Sequence, residues 1–155
     1  MKKIINFALV LVFAAIAVSC SEADNDSVGN TYLDVTPNNI SGVWSMESFD
    51  NGKTLEEGTY RYIVFNRKDR TFVSYDNLGS MGTEAHKRSG RYSIDVDGSA
   101  IIRGLYDFGQ GDWEHRYYVR DLTNSRMVWV AVDDANQVQV YVRAELPEWL
   151  NEEND

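Results

Sequence analysis

The sequence predicts an all-β protein, an eight-stranded antiparallel up-and-down β-barrel, with a two-sheet β-sandwich as the alternative. Apolar and polar residues alternate with a period of two in several segments, and in the last one Val138, Val140 and Val142 are the apolar members. Clusters of Gly, Asn, Asp and Ser separate these segments, as expected of turns. Helical periodicity is confined to a short turn at residues 37–40.

Eight candidate strands follow one another along the second part of the chain. They are predicted at residues 43–49, 60–65, 71–75, 91–96, 100–105, 114–122, 127–132 and 137–143. Most connections have hairpin length, which favours a meander that closes on itself, because closure leaves no exposed strand edge. A sandwich built from Greek keys would need at least one long crossover connection.

Residues 1–19 have the order of a secretory signal, with a positively charged start, an apolar stretch at 4–18 and the small residue Ser19. The apolar stretch is shorter than the roughly 20 residues that span a bilayer. The Ala-Val-Ser-Cys run at 17–20 resembles a bacterial lipobox, which implies cleavage before Cys20 and acylation of its thiol. Cys20 is the only cysteine, and lipid attachment would remove the liability of an unpaired thiol. A plain secretory signal is the alternative.

The chain therefore divides into a signal peptide, a lipidated cysteine with a flexible acidic tether at 20–37, a barrel domain at 38–146 and an acidic tail at 147–155. The tether is too polar to form an apolar core of its own. Ser21 follows the cysteine, where aspartate would suggest inner-membrane retention, so we expect an anchor in the bacterial outer membrane. The acidic run at 21–26 resembles a surface-export signal, and the domain is expected to face either the periplasm or the cell surface.

The chain carries 24 acidic and 15 basic side chains and a net charge of −9. Nucleic acids are excluded as partners on this ground, since phosphate contacts need clustered Lys and Arg. The expected partners are the membrane, reached through N-terminal acyl groups, a small hydrophobic or amphipathic ligand, and an envelope protein.

Gly42 and Trp44 form a Gly-x-Trp motif at the start of the first strand, directly after the short helical turn. Further segments resemble, in the same order, the lipocalin-like domain of small bacterial lipoproteins, here at 62–66, 71–72, 90–94, 118–123 and 127–130. The resemblance covers residues 38–144 and implies a barrel whose tryptophan closes one end and packs under an arginine of a late strand. Arg120 and Arg143 are the two candidates for that arginine.

The chemistry of the sequence does not indicate an enzyme, and no cofactor is expected. It contains no mature thiol nucleophile, no phosphate-binding glycine loop and no Gly-x-Ser-x-Gly motif. Glu114 and His115 are strand neighbours, so they should point to opposite faces, and no metal site is expected. His86 is predicted to lie in a solvated charged loop. A hydrolytic function would need converging carboxylates, and the spacing singles out no pair.

A binding function rests on the aromatic residues expected at the interior and mouth of the barrel. The candidate ligand-binding residues are Trp44, Tyr60, Tyr62, Tyr92, Trp113, Tyr118 and Trp129. Further positions expected to point inward are Met46, Phe72, Ile94, Val138 and Val140. Loops 79–87 and 107–113 would frame the mouth, with Met81 and Trp113 as apolar contacts. Such a barrel either encloses one small ligand or is filled by its own side chains, as in a structural or protein-interaction lipoprotein.

Overall fold

The computed structural model describes residues 31–79 and 85–151. The predicted signal peptide, Cys20, most of the acidic tether, Met81 and the last four residues lie outside the described residues. Within the described ranges, no helix is long and apolar enough to cross a membrane.

Residues 31–79 and 85–151 form nine antiparallel strands and two short helices. In chain order they are α1 (Pro37–Ile40), β1 (Gly42–Phe49), β2 (Lys53–Thr54), β3 (Arg61–Asn66), β4 (Thr71–Asp76), β5 (His86–Asp95), β6 (Ile101–Tyr106), β7 (Tyr117–Arg120), β8 (Arg126–Ala131), β9 (Val138–Arg143) and α2 (Glu148–Asn151). The sheet order is β2-β1-β3-β4-β5-β6-β7-β8-β9, and β1 also pairs with β9. This last pairing closes eight strands into an up-and-down barrel, so the predicted fold class is confirmed.

All eight predicted strands have a counterpart, and two of them differ from it by more than one residue at an end; the two-residue strand β2 was not predicted. β5 starts at His86, five residues before the predicted strand, and its first residues pair with the end of β4. The prediction that His86 lies in a loop is therefore wrong. β7 is shorter than predicted, because residues 114–116 leave the sheet between Trp113 and Tyr117.

The closed end of the barrel is built by α1, Trp44 and the last residue of β9. Trp44 is completely buried, and its indole nitrogen donates a hydrogen bond of 2.7 Å to the carbonyl of Ile40. The guanidinium of Arg143 lies over the indole, 3.9 Å from the ring centroid. Of the two candidate arginines, Arg143 is thus the one that packs on Trp44. Arg120 instead lies over Tyr118 on the outer face.

Strand registers show which residues share the inner face, because paired residues point to the same side of a sheet. Ile63 pairs with Trp44 and is buried, so its neighbour Tyr62 points outward. Gln139 pairs with Trp129 and is buried, so Val138 and Val140 point outward. The inward predictions for Tyr62, Val138 and Val140 are therefore wrong.

Two further aromatic residues lie outside the barrel. Tyr117 pairs with Ile102 in the core, which leaves Tyr118 on the outer face, contrary to the prediction. Tyr60 precedes β3 and contacts the indole of Trp149 edge-on, with ring centroids 5.0 Å apart. The C-terminal segment thus docks on the outer wall, and Leu150 of α2 is buried there.

Residues before the predicted domain start at residue 38 also contact the barrel. The amide of Leu33 donates a 2.7 Å hydrogen bond to the carbonyl of Leu122, and Leu33 and Val35 pack against the core. Leu33 and Val35 thus bury apolar surface against the barrel core, which favours this position of the segment.

Candidate binding cavity

The two halves of the barrel differ in the chemistry of their inner faces. Apolar side chains fill the half next to α1, where Ile40, Phe65, Ile102 and Met127 are almost completely buried. In the opposite half, polar and charged residues occupy inward positions of the strands. A cavity of about 420 Å³ lies there, lined among others by Arg61, Arg88, Tyr106, Trp113, Tyr117 and Gln139.

Three ionisable residues stand side by side on the inner wall of β3, β4 and β5. Asp76 pairs across the sheet with Arg61 on one side and His86 on the other. Its carboxylate accepts a 2.6 Å hydrogen bond from the guanidinium of Arg88 and lies 3.5 Å from Nδ1 of His86. Because the Asp76 side chain is almost fully buried, this pairing with Arg88 is partly shielded from solvent.

Arg61 has no such partner. Among the residues that the structure describes, its guanidinium makes no hydrogen bond and no ion pair, and its Nε atom is buried. The Nε atom of Arg88 is also buried without an acceptor there. An arginine side chain keeps its positive charge, so the wall of the cavity carries a cation that has no hydrogen-bonded acceptor among the described residues.

A chain of hydrogen bonds crosses the cavity wall from β9 to β7. The hydroxyl of Tyr141 donates to the Gln139 side-chain oxygen at 2.9 Å, and the Gln139 amide donates to the hydroxyl of Tyr117 at 3.2 Å. Burial raises the pKa of Tyr117 and Tyr141 above the ordinary tyrosine value, although the positive charge of Arg61 opposes this. Both hydroxyls therefore stay protonated at neutral pH, and Tyr117 keeps its proton available for a further acceptor.

Trp113 forms the apolar wall of the cavity together with Trp129. Its indole stacks on that of Trp129 with centroids 5.3 Å apart, and it meets the ring of Phe72 edge-on at 5.0 Å. Gly104 makes this position available, because a Cβ atom there would lie 2.1 Å from the Trp113 ring. A loop residue is in this way folded into the barrel interior.

A second cavity of about 560 Å³ shares the segment 112–115 with the first. It is lined on its other side by residues such as Arg103 and Asp133. His115 Nδ1 lies 2.9 Å from a carboxylate oxygen of Asp133, and this hydrogen bond lowers the pKa of Asp133. In the described part of the chain, no three His, Cys, Asp or Glu residues are grouped so that they could hold a metal ion.

The predicted site residues fall into three groups. Trp113 and Trp129 line the 420 Å³ cavity. Trp44 and Tyr92 are buried in the barrel core, and Tyr92 also borders the second cavity. Tyr60, Tyr62 and Tyr118 lie outside, as described above. No predicted site residue outside the first group reaches the polar cavity.

Sequence reasoning missed the polar lining of the cavity, namely Arg61, Arg88, Tyr106, Tyr117 and Gln139. One signal for it was present in β9. If Arg143 packs on Trp44 inside the barrel, Tyr141 and Gln139 must share that face, since side chains alternate along a strand. The apolar valines of β9 face outward instead, where Val140 is buried.

A closed up-and-down barrel of eight strands with an internal cavity belongs to the class of small barrels that can hold one small ligand. A family model described as a lipocalin-like domain matches residues 40–129, more than half of the chain. The chain therefore belongs to the lipocalin-like domain family, whose members are generally non-catalytic binding proteins. Comparison with curated proteins gave no match.

Proposed function

We propose that this protein is a lipid-anchored binding module of the bacterial outer membrane that holds one small amphipathic molecule in its barrel. The observation that carries the proposal is the 420 Å³ cavity, which has an indole wall at Trp113 and Trp129 and polar groups opposite. Ligand cavities are concave and combine apolar walls with polar groups that orient the ligand, and their volumes start at about 300 Å³. This cavity has the required volume and an apolar wall, and most of its other lining residues are polar, which favours an amphipathic ligand over a purely apolar one.

The proposed attachment to the membrane rests on the N-terminal sequence. Acylation of Cys20 would attach the domain to a membrane without requiring basic residues, which suits a chain of net charge −9. The domain would then face the periplasm or the cell surface. Expression in its host with labelled fatty acid should label the wild-type protein, and Cys20→Ser should abolish the label and leave uncleaved precursor. A labelled Cys20→Ser variant would contradict the anchor.

Native mass spectrometry of the full chain, purified from its host's envelope in mild detergent, tests the binding function. A stoichiometric small-molecule adduct is expected, and Trp129→Ala should lose it because the apolar wall is removed. Tyr118→Ala is the matched control, since Tyr118 lies on the outer face, and it should keep the adduct. A bare protein mass after incubation with envelope lipid extract would contradict the proposal.

That last result would favour a protein-interaction function. The observation behind this second candidate is Phe108, which is 94% exposed in the turn between β6 and Trp113. Leu105, also exposed, lies three residues before it at the same end of β6. Crosslinking in the envelope from position 108 would identify an envelope protein partner, and Phe108→Ser should abolish the crosslinked product formed from a neighbouring position.

A further inference from the structure

One guanidinium on the cavity wall has no hydrogen-bonded acceptor among the described residues. Arg61 and Arg88 both line the cavity, and the carboxylate of Asp76 on the same inner wall is already paired with Arg88 at 2.6 Å. Asp112 and Glu114 also line the cavity, but both are exposed, and neither forms a hydrogen bond or an ion pair with Arg61. Arg61 is thus the cation of this wall that can receive a ligand oxygen.

A guanidinium without an acceptor is unfavourable inside a protein. Removing a charge from water costs free energy, and buried charges are normally paired or hydrogen-bonded. Arg61 directly neighbours the carboxylate of Asp76 in the sheet register, yet that carboxylate is bound by Arg88 and His86. A ligand oxygen that accepts a hydrogen bond from the Arg61 guanidinium would therefore stabilise the cavity wall.

A second donor lies on the same cavity. The Tyr117 hydroxyl receives the hydrogen bond of Gln139, which in turn receives one from Tyr141, so the hydroxyl is held in place. Since its pKa is raised by burial, the phenol remains a donor. Arg61 and Tyr117 together offer charge-assisted and neutral hydrogen bonds to an oxyanion.

We infer that the ligand of this cavity is a monoanionic amphiphile whose carboxylate binds Arg61 and Tyr117 while its apolar part packs against Trp113 and Trp129. A carboxylate brings one negative charge to the guanidinium of Arg61, whereas a dianionic phosphate would bring a second one to a wall that already carries Asp112 and Glu114. The inference rests on the proposed function and names the class of molecule that the cavity selects.

Decanoate and decanol are suitable probes, because they share a chain and differ in the charge of the head group. Binding to the full chain is measured by quenching of tryptophan fluorescence at neutral pH. We expect decanoate to bind at least about ten-fold more tightly than decanol, the difference of one charged hydrogen bond. Arg61→Gln should remove this preference by weakening decanoate alone, and Arg61→Lys should restore part of it.

Arg126→Gln is the control, because Arg126 lies on the outer face at the closed end and pairs only distantly with Glu47, at 4.0 Å. It should keep the preference for decanoate. Thermal unfolding of each variant establishes that it is folded before binding is compared. Tyr117→Phe should weaken decanoate binding by a smaller factor than Arg61→Gln.

The outcomes separate the inference from the proposed function. Equal binding of decanol and decanoate that Arg61→Gln leaves unchanged would overturn the anionic ligand and keep a cavity-bound ligand. Failure of both probes, together with a bare mass of the protein from its host, would overturn both. A neutral molecule identified as the native adduct would also overturn the inference.

Discussion

The guanidinium of Arg143 lies over the indole of Trp44 at the closed end of the barrel, with 3.9 Å between the guanidinium carbon and the ring centroid. The same guanidinium donates hydrogen bonds to the main-chain carbonyls of Ser41 and of Asn39, the latter at 2.6 Å. Arg143 thereby fastens the last strand to the segment that leads from α1 into β1. The Arg143 side chain therefore stabilises both the closed end of the barrel and the pairing of β9 with β1.

Replacing Arg143 by leucine should destabilise the fold strongly. The change removes a cation–π contact and leaves three carbonyls, those of Ser41, Asn39 and Asn124, without their donor. Together these losses should lower the free energy of unfolding by about 2–4 kcal/mol. Arg120→Leu is the matched control, because Arg120 lies over an outer-face ring at 5.5 Å and is exposed. Arg120→Leu should lower the free energy of unfolding by less than about 1 kcal/mol. Urea denaturation measures both, and equal losses would contradict this role of Arg143.

The sequence predicted the barrel because alternation and turn chemistry are local properties. The order of the eight barrel strands follows from these patterns, and six of them lie close to the predicted ranges, whereas β5 and β7 differ in extent and the two-residue β2 was not predicted. The closing role of Trp44 was implied by its Gly-x-Trp motif. Which arginine packs on Trp44 depends on the register between β1 and β9. These two strands are far apart in the sequence, so the register cannot be read from local patterns.

The site was harder to predict, because alternation does not say which face is inward. An apolar face normally marks the core, yet the β9 valines face outward, and Val140 is buried there. Gln139 faces inward and is satisfied by two tyrosine hydroxyls. Trp113 is in a predicted loop, and only the space above Gly104 admits it to the interior. Both features depend on contacts between distant strands.

Gly104→Ala should push Trp113 out of its position. The backbone of Gly104 is not in the left-handed region, so alanine adds no conformational strain, and the clash of its Cβ with the indole is the cause of the effect. We expect a loss of about 1–3 kcal/mol in the free energy of unfolding and a shift of tryptophan emission to longer wavelength. In a Trp113→Leu background, Gly104→Ala should lower the free energy of unfolding much less. Equal costs in both backgrounds would disprove the contact as the cause.

The pKa of Asp133 should return toward its ordinary value of 3.8 when His115 is replaced by alanine. The hydrogen bond from His115 is the main cause of the lowered pKa. A lowered pKa in the folded protein contributes stability above the ordinary value, and this contribution is lost as the pH falls through the lowered value. The carboxylate is exposed, so the effect on stability should be small. Carboxyl NMR titration measures the pKa, and His86→Ala, which changes a histidine paired with Asp76 instead, should leave it unchanged.

Stability should fall as the pH rises above about 10. Burial raises the pKa of Tyr92, Tyr117 and Tyr141 above the ordinary 10.0. A raised pKa means that the folded state holds its proton longer than the unfolded chain, so stability is present below the ordinary value and is lost at higher pH. Tyr141→Phe should reduce this slope in urea denaturation between roughly pH 8 and 11. Tyr32→Phe removes a tyrosine that is 60% exposed, and a similar reduction there would contradict burial as the cause.

Arg61→Met should destabilise the protein much less than Arg88→Met when no ligand is bound. Arg61 has no hydrogen-bonded acceptor among the described residues, and the carboxylate of Asp76 is already held by Arg88. Burial opposes the charge of Arg61, but Tyr141 and Asp76 outweigh it and raise the pKa of Arg61, so its loss should lower the free energy of unfolding by less than about 1 kcal/mol. Arg88→Met should lower it by about 2 kcal/mol or more, because it leaves the buried Asp76 carboxylate with His86 alone. Urea denaturation of delipidated protein measures both variants. If both destabilise equally, Arg61 is held by contacts that serve folding, and its charge is not reserved for a ligand.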